Sequence, residues 1–535
     1  MTAIYDRYAW HEPTPGVWIR DIDEAEQVYT SLMRYSSGTG KMHFAITGHL
    51  SLTIATQANE SPKAAATRLD QSLRTAWLSL RNQNPTIASR VSYHYDLGKW
   101  QKKYETVTDG IAQEAWVDNT LNFIGNGQTG AEWANSDPPA PKIATLFVLK
   151  PPSSVEVGGN NSGTIRRDLV FRCPHDIIDG IGTLSLFDNL LSHLFDSLTG
   201  NKSVARLLDG NETARLSPPF RVAANVPPTP TPEQLARLDY IESQKQKSAV
   251  SDAGDTIEHL IVPFRSGPVL PQAHQRVSVA LSPAQTTALL AAVKPLGVTP
   301  THAFHAAIAL VLRDVYLHSC GLPNQNAKTA RYTNYILCNE RQVCKPPYNN
   351  PKAHPAAIYH SISSGSLTVD MPITVQESEK NRLFAQILIQ MRDYYLSVRD
   401  DKEHYALVPY IWKTATPDIL PPTIVMNESG ELEEDTLPPP PPNPKPSVSL
   451  SSMGLIDKII TPDRVSQDGK VVLKAYNPWV TGEELGTGLG LFLGTFRSQL
   501  EISAAYNSAW HDKVGVEDFL RKCVDAVFGW VDSQV

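Results

Sequence analysis

Residues 171–180 of the chain combine side chains that support acid–base chemistry. His175 lies four residues before Asp179, and Gly180 follows directly. A histidine serves as a general base only when its ring is held in one tautomer and one direction, and a nearby carboxylate can help to provide that hold. We therefore predict that His175 is a general base and that Asp179 braces its loop. The alternative is a structural histidine that caps the following helix.

The elements around this segment predict a strand-to-helix corner. Residues 168–173 alternate loosely between polar and apolar types, which indicates a strand. Beyond Gly180, which we expect to permit a sharp turn, apolar residues recur at three- and four-residue spacing over 184–195, which indicates an amphipathic helix. Corners of this kind often carry catalytic side chains because a rigid scaffold positions an exposed loop.

The rest of the chain predicts an α/β protein with two halves of similar size. In the first half we expect strands at 41–55, 87–95, 143–149 and 166–173, and a helix at 61–81. In the second half we expect strands at 277–281, 332–338, 471–475 and 499–506, and helices at 284–293, 301–317, 384–398 and 516–531. A shift to Pro, Gln, Ser and charge places the boundary: residues 1–225 form the first half, 226–260 a crossover linker, and 261–535 the second half, with an exposed proline-rich loop near 436–447.

Composition excludes several classes of function. The 48 basic and 55 acidic residues among 535 give a formal net charge of −7, and no long basic block is present, so nucleic acid is not an expected partner. Five cysteines without metal-finger spacing indicate reduced thiols. With no segment that predicts export or a membrane span, we expect a soluble cytoplasmic protein.

Two further patterns do not predict cofactor sites. His302 and His305 share a predicted helix face, but no third ligand accompanies them, so we expect packing histidines and no metal. Gly486, Gly488 and Gly490 have the wrong spacing for a dinucleotide fingerprint.

Together these features resemble the acyltransferase superfamily that includes chloramphenicol acetyltransferase, peptide-synthetase condensation domains and the plant and fungal alcohol acyltransferases. The resemblance rests on the His-x-x-x-Asp-Gly corner at 175–180, the order of the α/β elements, and the helix that follows Thr299-Pro300. Within the superfamily the chain is most similar to fungal secondary-metabolite O-acetyltransferases of the trichothecene 15-O-acetyltransferase kind. The implied fold has two chloramphenicol-acetyltransferase-like halves, each a mixed sheet with packed helices, and an active-site tunnel between them.

Differences within the motif favour one branch of the superfamily. Condensation domains have two adjacent histidines, whereas Pro174 precedes His175 here, as in the alcohol acyltransferases. The resemblance thus implies O-acylation with acetyl-CoA or another acyl-CoA as co-substrate, a small hydroxylated acceptor, no bound cofactor, no membrane partner and a monomer. Two alternatives stay open: a free-standing condensation-type enzyme that uses a carrier-bound donor, and a non-transferring pocket protein or cyclase.

The resemblance also implies roles for individual residues. His175 lies near the middle of the tunnel and transfers the proton directly, without a covalent intermediate. Asp179 pairs with an arginine from the second half, and Arg341 matches that position. A backbone N–H near Gly180 is one candidate donor to the oxyanion. The Asp-Phe-Gly-Trp-Gly signature of plant enzymes is absent, and the residues nearest to it by position could line the tunnel: Tyr476, Asn477, Trp479 and Thr481.

Overall fold

The computed structural model of the chain describes residues 3–57, 59–152, 163–200, 209–249, 257–320, 326–415, 418–426 and 431–534. The strands within these residues, in chain order, are β1 (His11–Thr14), β2 (Val17–Asp21), β3 (Ile46–Ala55), β4 (Arg90–His94), β5 (Lys99–Glu105), β6 (Leu121–Ile124), β7 (Thr145–Leu149), β8 (Thr164–Cys173), β9 (Ile257–His259), β10 (His274–Ala280), β11 (Thr329–Asn334), β12 (Leu337–Asn339), β13 (His360–Ile362), β14 (Leu367–Pro372), β15 (Ile424–Met426), β16 (Leu432–Glu434), β17 (Val448–Leu455), β18 (Asp463–Val465), β19 (Val472–Gly482), β20 (Leu489–Phe496) and β21 (Gln499–Asn507).

Helices alternate with these strands along much of the chain. They are α1 (Ala3–Asp6), α2 (Glu24–Ser36), α3 (Pro62–Gln83), α4 (Gly110–Thr120), α5 (Gly130–Ala134), α6 (Gly180–Leu198), α7 (Phe220–Ala223), α8 (Pro232–Ala249), α9 (Pro283–Val293), α10 (Pro300–Cys320), α11 (Lys380–Arg399), α12 (His404–Ala415) and α13 (Lys513–Asp532). The predicted α/β class is confirmed, and most predicted elements are present with boundaries shifted by a few residues.

The first half is built on a six-stranded mixed sheet in the order β18-β19-β3-β8-β7-β6. Helices α3 and α6 pack together over this sheet and bury its apolar face. Ser61 caps the N-terminus of α3, with Pro62 in the first turn. The helix then presents fully buried residues such as Leu69, Leu73 and Trp77 at three- and four-residue spacing. Each such side chain stabilises the fold by about 1.5–3 kcal/mol.

Strand β19 comes from the second half of the chain and completes this sheet, since it pairs antiparallel with β3 over most of its length. Buried Glu483, just beyond β19, accepts hydrogen bonds from Arg172 on β8 and from Thr47 on β3, at 3.0 Å each. The two halves are therefore joined through a shared sheet. The predicted division at 226–260 stays a prediction, although that segment contains α8 and β9.

The second half contains two more mixed sheets, in the orders β10-β21-β20-β17 and β14-β11-β9. The long helices α10, α11 and α13 pack with them around the largest core cluster. Part of the glycine-rich segment 482–494 is strand β20. The proline-rich segment before β17 is tied to the fold at Leu437, whose backbone N–H donates to Oγ of Ser37 and whose carbonyl accepts from the N–H of Gly38.

The prediction of a single strand at 332–338 is wrong. The structure has two strands there, β11 and β12, which pair in different sheets. Asn334 ends β11. Its side chain accepts a hydrogen bond from the backbone N–H of Tyr335 at 2.8 Å and donates to the carbonyl of Val448. Asparagine side chains that bond to nearby backbone compete with strand pairing, so the chain turns here and delivers β12 to a separate two-stranded sheet.

The N-terminal residues form elements that the sequence pattern did not predict. Strands β1 and β2 join β5 and the predicted strand β4 in an antiparallel sheet in the order β1-β2-β5-β4, and α2 follows β2. Asp23 and Glu26 form a capping box at the start of α2. This helix matters for function because one of its faces borders the loop that carries His175.

Candidate active site

His175 lies in the loop that joins β8 to α6, as the corner predicted from the sequence requires. Asp179 is the N-cap of α6, and its Oδ1 atom accepts a hydrogen bond from the backbone N–H of Gly182 at 2.7 Å. Capping therefore fixes the carboxylate at the end of the loop. Gly180 and Ile181 begin the helix, and the N–H groups of a first helical turn have no intrahelical partner.

The glycines of this corner serve close packing and not a left-handed turn. Gly180 has an ordinary helical backbone, and a Cβ atom there would lie 2.9 Å from the side chain of Met453. The expected reason for Gly180, a sharp turn, is therefore wrong. At Gly182 the fit is tighter, since a Cβ atom would lie 2.1 Å from the carbonyl oxygen of Pro355 and 3.0 Å from the Arg341 guanidinium.

The second oxygen of Asp179 binds to residues of the second half. Oδ2 accepts a hydrogen bond from Nη1 of Arg341 at 2.7 Å and another from the backbone N–H of Tyr359 at 3.0 Å. Only 3% of the Arg341 side chain and 4% of the Asp179 side chain are exposed. Burial alone would raise the pKa of Asp179, but Arg341 and His360 outweigh it and hold that pKa well below its usual range. The structure thus brings the two predicted partners together as a buried ion pair.

One face of the His175 ring is covered by an aromatic ring. Tyr29 of α2 stacks on it with centroids 3.7 Å apart and planes inclined by 11°. The ring centroid of His360, on β13, lies 5.6 Å from that of His175. Burial, reinforced by the neighbouring His360, lowers the pKa of His175 to about 3. The imidazole is therefore uncharged at neutral pH and able to accept a proton. Its Nδ1 atom is buried and has no hydrogen-bond partner among the described residues.

A buried charged network supports the loop from below. Lys102 donates to the carboxylate of Glu26 and, at 2.6 Å, to the backbone carbonyl of Asp176. Arg20 also binds Glu26, at 2.6 Å. Burial would raise the pKa of Glu26, yet the two cations together lower it to about 2. Lys102 thus links the first helix of the site, α2, directly to the backbone beside His175.

His175, Asp179 and Gly180 line a cavity of about 370 Å³ between the two halves. We call it the His175 cavity. Its walls are mostly aromatic and aliphatic, with a row of serines from the edge strand β17 and two buried carboxylates, Asp179 and Glu484. The lining residues used below are Tyr29, Cys338, His360, Trp412, Met453, Val480, Thr481 and Phe492.

The residues predicted to line the tunnel fall into two groups. Thr481 lines the His175 cavity, and its buried Oγ1 has no hydrogen-bond partner among the described residues. Tyr476, Asn477 and Trp479 line a neighbouring pocket of about 150 Å³. The two spaces share three wall residues: Met453, Val480 and Phe492.

Sequence reasoning missed Tyr29 and His360. A signal for α2 was present, because Asp23 and Glu26 have the spacing of a capping box before an amphipathic run. It would have placed Tyr29 on a helix, but not against His175. For His360 the sequence offers no signal, since the contact joins residues 185 positions apart and depends on how β13 packs.

One cluster among the described residues has the donor set of a metal site. Ligand atoms of Cys338, Glu340 and His404 lie within 4.8 Å of one another. Ser361 already joins two of them, because its Oγ donates to Glu340 and lies 2.9 Å from Nε2 of His404. Hydrogen bonding thus accounts for the arrangement without an ion.

The two histidines predicted to be packing residues sit on α10 in the second half. His305 bonds through its two nitrogens to the hydroxyls of Tyr395 and Tyr332, at 3.0 Å each, and His302 packs 4.8 Å from the Tyr395 ring.

A larger groove of about 1170 Å³ lies in the second half, along α10 and α13. None of the predicted site residues lines it. Within the described residues no single helix is long and apolar enough to cross a membrane; the helices Pro283–Leu296 and Pro300–Ser319 pass that test only as a pair, bent by 95°.

Comparisons with known proteins agree with the fold. No protein-family model matches the chain. It is 26% identical to O-acetyltransferase pigM of Monascus ruber over 504 residues, which cover 94% of this chain and 83% of the relative. Among solved structures, trichothecene 15-O-acetyltransferase of Fusarium sporotrichioides is similar with a TM-score of 0.74 at 16% identity, over 98% of both chains.

The fold is also similar to that of condensation domains. That of the Monacolin K polyketide synthase is similar with a TM-score of 0.56 at 11% identity, over 96% of this chain and 97% of that one. The similarity to a named O-acetyltransferase bears out the predicted enzyme class, an acyltransferase that transfers groups other than aminoacyl groups. The chain has the chloramphenicol-acetyltransferase-like fold, and its predicted resemblance to fungal O-acetyltransferases is confirmed.

Proposed function

We propose that the chain is an acyl-CoA-dependent O-acyltransferase, with acetyl-CoA as donor, that acylates a hydroxyl group of a secondary metabolite such as a terpenoid. The observation that carries the proposal is an uncharged His175 ring on the wall of a cavity between the two halves. The O-acetyltransferase name of the Monascus relative and the structural similarity to a trichothecene 15-O-acetyltransferase support it.

In the proposed reaction both substrates meet at His175. Nε2 takes the proton from the acceptor hydroxyl as its oxygen attacks the thioester carbonyl. The tetrahedral intermediate then collapses, the carbon–sulfur bond breaks, and the imidazolium returns the proton to the departing CoA thiolate. A positioned base of this kind contributes about 10²- to 10⁴-fold to the rate. Asp179 does not touch the reacting atoms, since both of its oxygens are bound to other residues.

The oxyanion needs donors on the same wall. Gly180 and Ile181 line the His175 cavity, and their N–H groups lie at the positive end of the helix dipole of α6. Thr481 brings a buried hydroxyl without a partner among the described residues. We assign Thr481 and the start of α6 as the oxyanion donors, because preorganised donors of this kind lower the barrier where charge develops.

The cavity walls support an uncharged, largely apolar acceptor. Apolar and aromatic groups predominate, while Arg341 is neutralised by Asp179 and so offers no free cation to an anionic substrate. Met453, Val480 and Phe492 separate this cavity from the pocket at Tyr476, Asn477 and Trp479. Their position between the two spaces supports approach of donor and acceptor from opposite sides.

The test is a transfer assay with purified protein, acetyl-CoA labelled in the acetyl group, and a panel of hydroxylated terpenoids and polyketides. We expect ester formation with release of one equivalent of CoA. His175→Gln should lower the rate by about 10²- to 10⁴-fold while the thermal transition is retained. His193→Gln is the matched control, because His193 lies on α6 with its Nε2 against Gln83 and outside the cavity.

Each outcome of this assay distinguishes a function. Full activity of His175→Gln would contradict the proposed base. Transfer that occurs only from a carrier-bound acyl group would establish the condensation-type alternative. Tight binding of an acceptor with no transfer from either donor would establish the non-transferring pocket.

A further inference from the structure

A second group of side chains surrounds the His175 ring and has no role in the reaction proposed above. The Tyr29 ring covers one face of the imidazole. The Tyr29 hydroxyl is hydrogen-bonded to Nε2 of His360 at 2.7 Å, and Nδ1 of His360 faces Oδ2 of Asp179 at 3.8 Å. The chain of contacts therefore leads from the face of His175 back to the carboxylate that ends its own loop.

Hydrogen bonding and packing both hold Tyr29 in place. Burial raises the pKa of Tyr29, so its hydroxyl stays protonated, and its oxygen lies 2.7 Å from Nε2 of His360. On the opposite side of the His360 ring, Nδ1 lies 3.8 Å from Oδ2 of Asp179. Trp412 packs edge-on against His360, with centroids 5.6 Å apart, and lies 6.2 Å from Tyr29. Tyr29 is thus held both by its hydroxyl and by packing.

We propose that Tyr29 and His360 are positioning residues for His175: the Tyr29 ring fixes the plane of the imidazole and keeps water from one face, and His360 anchors Tyr29 to Asp179. This inference rests on the proposed function of His175 as a base. The groups that face His175 are Tyr29 from α2, Asp179 from its own loop and His360 from β13, with Arg341 acting through Asp179.

Three variants separate the effect of Tyr29 stacking from that of its hydrogen bond to His360. Tyr29→Leu removes both stacking and the hydroxyl, Tyr29→Phe retains stacking, and His360→Gln removes the anchor. Tyr35→Phe is the matched control, since Tyr35 lies on the same helix, outside the cavity, with its hydroxyl on the carbonyl of Asp418 at 3.3 Å.

For Tyr29→Leu we expect kcat to fall by about 10- to 100-fold, the effect of a displaced catalytic group, with the KM for acetyl-CoA changed by less than about threefold. We also expect the acidic limb of the kcat/KM profile to move to higher pH, because water that reaches the ring relieves its desolvation. Tyr29→Phe and His360→Gln should each lower kcat by about 3- to 10-fold, as loss of one hydrogen bond does. Their double variant should be no worse than His360→Gln alone, since the Tyr29 hydroxyl has already lost this partner there.

The inference is overturned if Tyr29→Leu leaves both kcat and the acidic limb unchanged, or raises KM alone, which would make Tyr29 a substrate-binding residue. A second measurement does not depend on turnover. Histidine ring NMR, with the His175 resonance assigned from His175→Gln, should show a higher His175 pKa in Tyr29→Leu and an unchanged one in Tyr35→Phe. If that shift occurs in a protein that transfers no acyl group, the proposed function fails and the positioning role stands; if transfer occurs without the shift, the positioning role fails alone.

Discussion

Replacing Arg341 with methionine tests the ion pair that joins the two halves at the active site. Methionine retains an unbranched side chain, so the main change is the loss of charge. In Arg341→Met the Asp179 carboxylate keeps its bonds from the N–H groups of Gly182 and Tyr359. It loses its cation in a site where only 4% of the side chain is exposed. A buried charge is thereby left uncompensated.

The expected cost follows from that burial. Removing one partner of a buried ion pair destabilises a protein by about 3–5 kcal/mol. An unfolding entropy of about 2.1 cal/mol/K per residue corresponds to about 1.1 kcal/mol/K for this chain, so Tm should fall by about 3–5 °C if the chain unfolds as one unit. If only the first half unfolds cooperatively, the decrease is about twice as large.

The pH dependence of Tm independently tests whether the Asp179–Arg341 pair stabilises the fold. Because the folded-state pKa of Asp179 is lowered, the pair stabilises the fold fully above the unfolded pKa, near 3.9 for an aspartate, and loses this effect as pH falls towards the folded value. The difference in Tm between the wild type and Arg341→Met should therefore be largest where Asp179 is ionised in both proteins, and it should shrink as the pH falls through the Asp179 pKa of the variant, which burial raises once Arg341 is gone.

The assay is thermal unfolding followed by circular dichroism, with Asp179→Asn and the double variant measured alongside. Because each single change leaves one partner stranded, the double variant should lose clearly less than the sum of the two. Arg74→Met is the control, since Arg74 pairs with Glu114 and Asp118 at the surface, where such pairs contribute about 0–1 kcal/mol. A Tm for Arg341→Met equal to that of Arg74→Met, or strict additivity in the double variant, would refute the reasoning.

Three further predictions concern the same loop. Because the pKa of His175 is about 3, the base form predominates above that pH, so kcat/KM for transfer should be flat from about pH 5 to 8; a limb near 6.5 would contradict it. Gly182→Ala forces a Cβ to 2.1 Å from a backbone oxygen and should lower Tm by several degrees, whereas Gly110→Ala, which meets nothing within 4 Å, should leave Tm unchanged or slightly raised. Lys102→Met removes one of two buried cations from Glu26 and should lower Tm by about 3–5 °C; an unchanged Tm would show that Arg20 alone suffices.

Local patterns predicted the elements that carry the histidine loop. Apolar spacing and the Ser61-Pro62 start predicted α3, which runs from Pro62 to Gln83. The corner at His175 was predicted in the same way, because a strand and an amphipathic helix each leave a local signal. The pairing of Asp179 with Arg341 had no local signal and came from resemblance to a known superfamily.

The parts that sequence could not supply depend on contacts between distant segments. Nothing near Tyr29 indicates that α2 packs against a loop almost 150 residues later, and nothing near residue 472 indicates that β19 leaves its own half to pair with β3. The division of 332–338 into two strands depends on Asn334 reaching the carbonyl of Val448. Each is decided by the competition of tertiary contacts with local preference, which a single sequence does not display.

The arrangement of the site also explains why its support extends so widely. His175 is a base only while its ring is both uncharged and fixed in direction, and the two requirements call for different neighbours. Burial against Tyr29 keeps the ring uncharged, whereas direction requires a rigid loop, which Asp179 provides by binding Gly182 within its own helix and Arg341 across the interface. A carboxylate in direct contact with the imidazole would fix the ring but also favour its charged form. Asp179 bonds to Gly182, Arg341 and Tyr359 and not to the imidazole, and Arg341 neutralises it, so it meets the second requirement while the pKa of His175 stays low.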